Sequence, residues 1–154
     1  MTAIQASAPR EHPSGRKLIV GFVAGFIAVL LFHQPALALL IQLGVAKAAT
    51  YSLSATAPFG VPQIVSLSFW GGVWGVVFAL VEHRIPRGKR YWVYAFLFGA
   101  ILPTMVAWFV VAPIKGLPTA GGWQASRMFT GFVINGAWGV GNALLLVLGL
   151  RRSR

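Results

Sequence analysis

The stretch LIVGFVAGFIAVLLFHQPALALLI, residues 18–41, contains no Asp, Glu, Lys or Arg. A helix of roughly 20 mostly apolar residues is long enough to cross the hydrocarbon core of a bilayer. Three further runs meet the same condition, at about 64–81, 91–112 and 129–150. All four are continuously apolar. Strands of a membrane barrel alternate in polarity instead, so the pattern argues for helices. The expected fold is all-α: a polytopic integral membrane protein with four transmembrane helices in one bundle.

Composition supports a lipid environment. Charged residues make up 10% of the chain and hydrophobic ones 57%, whereas soluble domains carry roughly 25% charged residues. Only Glu11 and Glu82 are acidic, against thirteen Lys and Arg. A net charge of +11 on one continuous face would point to nucleic acid. Here the charges form short clusters between oily runs, too broken up to track phosphates, so no nucleic-acid partner is expected. The chain has no Cys, which excludes disulfides and thiolate chemistry.

The clusters set the sidedness. Arg10, Arg16 and Lys17 precede the first span. Arg84, Arg87, Lys89 and Arg90 lie between the second and third, and Arg151, Arg152 and Arg154 follow the fourth. The opposite side holds Lys47, Lys115 and Arg127. By the positive-inside rule both termini face the cytoplasm. The expected location is the plasma membrane, of the bacterial inner-membrane type. Tyr91, Trp92 and Tyr94 at the inner boundary, and Trp108 and Trp123 at the outer one, read as interfacial anchors.

Residues 1–16 are small, polar and proline-bearing, and read as a disordered cytoplasmic tail with His12 solvated. Residues 17–150 form the bundle and 151–154 a short basic tail. A second reading of the start exists. Arg16-Lys17, the apolar run to Phe32 and Ala36-Leu37-Ala38 have the form of a cleavable signal. The oily run continues through Ile41, which favours a retained span.

An internal repeat links the second and fourth spans. GGVWGVVFAL at 71–80 matches NGAWGVGNAL at 135–144 in six of ten positions without a gap. A duplicated helical hairpin in parallel orientation would produce this, and the alternative is chance similarity within the small alphabet of membrane helices. The first and third spans share only Phe22, Gly25 and Ile27 with Phe96, Gly99 and Ile101. At 100° per residue, Gly72, Gly75 and Ala79 fall on one face, and Gly136, Gly139 and Ala143 on the equivalent face. Small residues allow close backbone approach in lipid, so these six are the expected helix-packing residues, each face meeting a neighbouring helix or the other face. The copies differ where Gly71 becomes Asn135 and Phe78 becomes Asn142. Amides at membrane depth need partners. They either bond between helices or line a polar path.

His33, Gln34 and Pro35 interrupt the first span. Pro35 lacks an amide hydrogen, so a kink or helix end is expected near 31–35, with residues 36–46 lying along the surface or re-entering. Pro103 is a second kink position. His33 and Gln34 either satisfy carbonyls freed at the break or form a titrating or ligand-contacting site with Asn135, Thr104 or Arg127. Arg127, alone on the sparsely charged side, reads as snorkelling to headgroups or attracting an anion. Glu82, His83 and Arg84 read as an exposed charged end.

Catalytic chemistry has few candidates. Zinc needs three or four ligands within reach, and this chain has three His and two acids scattered over both sides. His33 and His83, at opposite depths, cannot share a haem. There is no Gly-x-Ser-x-Gly elbow and no phosphate-binding loop. No catalytic residue, cofactor or metal is expected. Proton-coupled four-helix drug exporters are similar in length and span count, but that family uses an acid in its first span, and none is present. Small fluoride channels assemble as antiparallel pairs with weak charge bias, unlike this chain. Two readings remain. One is a non-catalytic accessory or assembly subunit that packs against another membrane protein or itself. The other is a small oligomeric transporter or channel with His33, Asn135 and Asn142 along its route.

Overall fold

A computed structural model describes residues 14–57 and 59–151. Residues 1–13 of the expected tail, with His12, and the last three residues lie outside this range, whereas residues 14–16, expected in that tail, cap and begin the first helix. Four helices are long and apolar enough to cross a membrane: α1 (Gly15–Gln42), α2 (Gln63–Arg84), α3 (Lys89–Ile114) and α4 (Ala125–Arg151). The chain is thus mainly helical, with the character of a multi-pass membrane protein. The helices extend a few residues beyond the apolar runs. Ser14 caps α1, its hydroxyl accepting from the Lys17 amide, so Gly15 and Arg16 are already helical. A two-residue antiparallel ladder, β1 (Ala55–Thr56) with β2 (Val61–Pro62), closes the loop between α1 and α2.

Glycine determines which helices meet. A Cβ built at Gly25 would overlap the Gly71 carbonyl and stand 2.9 Å from the Gly75 Cα. One at Gly21 would stand 2.8 Å from the Ala79 Cβ. The second hairpin repeats this arrangement. A Cβ at Gly99 would overlap the Asn135 carbonyl and lie 2.8 Å from the Gly139 Cα, and one at Gly139 would overlap the Ala95 carbonyl. Phe22 covers Gly72, and Phe96 covers Gly136 in the same manner. The two hairpins, α1–α2 and α3–α4, therefore pack through equivalent positions. The small faces of α2 and α4 do not bury against each other, as the periodicity allowed. Each is consumed by the preceding helix of its own hairpin, where small residues occur on both sides of the contact.

The hairpins join along α1 and α4. Phe32 lies over Gly141, and Val20 lies within 2.7 Å of a Cβ built at Gly149. On the opposite side the backbones of α2 and α3 stand apart. Rings rather than glycines fill that seam. Phe98 stacks edge-on against Phe78 at 5.1 Å and Trp74 at 6.1 Å, and Phe78 meets Tyr91 at 6.3 Å. Tyr91 and Trp108 are accordingly buried, Trp108 against Phe132, and act as packing rings rather than the interfacial anchors expected of them. Trp92, Tyr94 and Trp123 are exposed, as anchors would be.

Pro35 does not end α1. The helix continues to Gln42 through a π turn at Val29–His33, so residues 36–42 are helical rather than re-entrant. A π turn widens the helix by one residue and thereby accommodates the proline ring. α3 repeats the device, with a π turn at Ala107–Val111 just before Pro113. Pro103 also sits inside a continuous helix.

Candidate functional site

The predicted polar residues occupy three separate places. The first lies at the loop end of α1. In the π turn the Gln34 amide bonds to the Val29 carbonyl, and Pro35 has no amide hydrogen to contribute. This releases the Leu30 carbonyl from the helix ladder, and the Tyr51 hydroxyl donates to it at 2.7 Å. Tyr51 is also held from its other end, its backbone amide donating to Gln34 Oε1 at 2.8 Å. Its φ of +49° lies in the left-handed region, uncommon for a bulky side chain. Two directed hydrogen bonds oppose that strain. The Gln34 amide nitrogen approaches His33 Nδ1 at 3.4 Å, and both side chains are buried. His33 and Gln34 thus serve the break in the helix. His33 is not joined to Asn135, Thr104 or Arg127.

The second place lies between α3 and α4. Asn135 Nδ2 donates to Thr104 Oγ1 at 2.9 Å, and that hydroxyl donates to the Gly131 carbonyl at 3.4 Å. The amide and hydroxyl satisfy one another within the seam, which is the interhelical-bonding alternative for Asn135.

The third is the junction of α1, α2 and α4. Trp138 Nε1 donates to the Gly25 carbonyl at 2.9 Å, tying the second hairpin to the first. One turn further along α4, Asn142 is fully buried, its Oδ1 only 3.1 Å from where a Cβ at Gly75 would stand. Neither atom of its amide has a hydrogen-bond partner among the described residues. Ser68, buried on α2 two turns from Gly75, likewise has an unpartnered hydroxyl. A buried amide without partners is costly, by about 1–3 kcal/mol. Asn142 is therefore the most anomalous residue of the core.

Arg127 is exposed at the start of α4, with its aliphatic stem over Gly121. It follows a turn whose residues Ala120, Gly121, Gly122 and Trp123 all have positive φ. Here glycine matters, since a left-handed turn costs roughly 1–2 kcal/mol for each residue carrying a Cβ.

Sequence reasoning missed Glu82. Expected at an exposed end, it is buried, and it accepts Lys17 of α1 at 3.1 Å and Arg87 of the α2–α3 turn at 3.6 Å. One carboxylate joins three segments at the basic end. Its isolation in an otherwise cationic chain was the available signal. His83 beside it is exposed.

Among the described residues no three His, Cys, Asp or Glu side chains come together in a way that could hold a metal ion. Compared with family models, curated proteins and solved structures, the chain matches none.

Proposed function

We propose that this protein is a non-catalytic multi-pass subunit of the plasma membrane, with both termini cytoplasmic, that works by packing against another membrane protein or a second copy of itself as an accessory or assembly factor. The observation that carries the reading is the dispersal of its polar side chains. His33–Gln34–Tyr51, Thr104–Asn135 and Trp138–Asn142 sit on different seams, and the first two groups are occupied with backbone or one another. What remains to act is the outward surface.

The glycine faces are spent inside the bundle, so a partner must use other ground. Large side chains stand exposed at the loop end: Leu53, Phe59, Ile114 and Trp123, joined by Phe69 and Trp70 on α2. Scattered exposed apolar residues are normal in lipid. Phe59 and Trp123, rings exposed on the two loops of that end, offer a usable contact surface. The test is purification in mild detergent. A stoichiometric membrane-protein partner, or a defined homo-oligomer without flux, agrees with the proposal. Solute flux in liposomes from the protein alone overturns it. Orientation is tested separately: a tag fused after Arg154 and reached from outside intact cells refutes the cytoplasmic termini.

One observation favours the transport reading instead. Asn142 is polar, central and unpartnered, as a residue on a solute route would be. That reading requires a flux that disappears in Asn142→Leu and in the double variant His33→Ala with Asn135→Leu.

A further inference from the structure

The seam between α2 and α3 is open to its surroundings. A groove of about 510 Å³ runs along it, entered at Arg84 and Pro86 and walled by Tyr94, Leu97, Ile101 and Leu102, with Phe98 beneath. Phe98, which lines it, packs edge-on against Phe78 and Trp74 across the same seam. From Tyr94 to Leu102 is eight helical residues, about 12 Å at 1.5 Å each. That is close to the roughly 15 Å of one hydrocarbon leaflet, half of the ~30 Å core.

Charge completes the picture. Glu82, the acid among the described residues, is already engaged by Lys17 and Arg87. Arg84, exposed at the groove mouth, forms no ion pair among the described residues. An oily trough one leaflet long, ending at an uncompensated guanidinium, matches an amphiphile with an apolar tail and an anionic head. We infer that the α2–α3 groove binds an anionic phospholipid of the leaflet at the basic end, an acyl chain against Phe98 and Leu97 and the phosphate at Arg84. Guanidinium suits the phosphate because its fork of donors can engage two oxygens together.

The experiment needs only the full-length protein in detergent, whatever its wider role. Phosphatidylglycerol and phosphatidylcholine of identical chains are titrated separately, and bound lipid is counted by native mass spectrometry. One saturable phosphatidylglycerol is expected, bound about five-fold more tightly than phosphatidylcholine, the worth of one basic residue at an anionic surface. Leu97→Trp fills the trough and should abolish that adduct. Arg84→Gln leaves the trough intact and should bind the two lipids equally. Both side chains are exposed, so melting temperatures should match wild type and separate lost binding from lost fold. Two results overturn the inference. One is wild-type preference for phosphatidylglycerol in either variant. The other is a Tyr94→benzoylphenylalanine variant, one aromatic replacing another on the groove wall, that cross-links in membranes to a protein rather than to lipid.

Discussion

The two hairpins have the same framework and different fillings. Gly25 against Gly71 and Gly75 is matched by Gly99 against Asn135 and Gly139, and Phe22 over Gly72 by Phe96 over Gly136. At the same register the first hairpin has Gly71, Phe78 and Glu82 where the second has Asn135, Asn142 and Leu146. The shared Gly75 and Gly139 lie where backbone meets backbone. Three of the divergent positions hold groups that reach beyond their own hairpin: Glu82 to the α2–α3 turn, Phe78 to Tyr91 and Phe98, Asn142 to the α1–α2 seam; Asn135 bonds within its own. Close approach constrains a helix to hydrogen as its side chain and leaves no latitude. Contacts made by longer side chains can be exchanged while the framework stays in place.

Breaking the framework has the largest expected effect. Gly25→Leu and Gly99→Leu should each cost about 3 kcal/mol or more, the upper range for overpacking, since a Cβ there meets a carbonyl that cannot move without its helix. Thermal unfolding in detergent should show comparable losses for the two. A tolerated Gly99→Leu beside a ruinous Gly25→Leu would end the equivalence. Gly15→Ala is the control, since nothing lies within 4 Å of a Cβ there.

Next in size is the basic end, where the hairpins differ most in charge. Glu82→Gln removes the carboxylate from Lys17 and leaves an ammonium half-buried in the bundle. A loss of about 1–3 kcal/mol is expected, typical of stranding a charged hydrogen-bond partner. Lys17→Gln alone should cost less, because Arg87 still faces the carboxylate. If the two losses are equal, the Arg87 contact contributes nothing.

The amides sharpen the comparison by sign. Asn135→Leu breaks its bond to Thr104 and should destabilise by about 0.6–1.7 kcal/mol, the measured span for interhelical bonds in membranes. Asn142→Leu keeps the branching of the side chain, with bulkier methyl groups in place of the amide atoms, and removes two unpartnered polar atoms, so it should stabilise by up to about 1 kcal/mol. Two identical substitutions two turns apart on one helix should thus shift the melting temperature in opposite directions. Destabilisation by both would mean that Asn142 has a partner within the folded protein.

Much of the framework was readable beforehand, and the reasons are physical. Length and hydropathy locate a span because the bilayer imposes both. The match of 71–80 with 135–144 exposed the repeat because Trp and Gly are hard to exchange at such contacts. Which faces meet was not readable. In lipid the outside of a helix is as apolar as its inside, so hydropathy does not mark the buried stripe. The helix end that Pro35 allowed does not occur, for a related reason. Proline's missing amide was visible, but the remedy came from Tyr51, twenty-one residues beyond the freed Leu30 carbonyl in a loop with no hydropathy signal. Glu82 was misplaced because a charge at a helix end is ordinarily solvated, and only the assembled bundle brings Lys17 to it.

The smallest effect is expected at Tyr51, where it is also the most local. Both α1 and α3 place a π turn immediately before an X-Pro step, 33–35 matching 111–113. In α1 the freed Leu30 carbonyl is covered by the Tyr51 hydroxyl. Tyr51→Phe keeps the ring and the amide bond to Gln34 and deletes only that donor. One neutral hydrogen bond is worth about 1 kcal/mol, so global stability should fall by no more than that. Hydrogen exchange should accelerate at the amides of residues 30–34 while residues 107–112 stay at wild-type rates. Gln34→Leu removes the acceptor of the Tyr51 amide and should release the loop as well, with faster exchange extending into 46–54. If Tyr51→Phe leaves 30–34 unchanged, the π turn is held by proline alone, as the turn before Pro113 would then be. The long first loop would have no part in shaping α1.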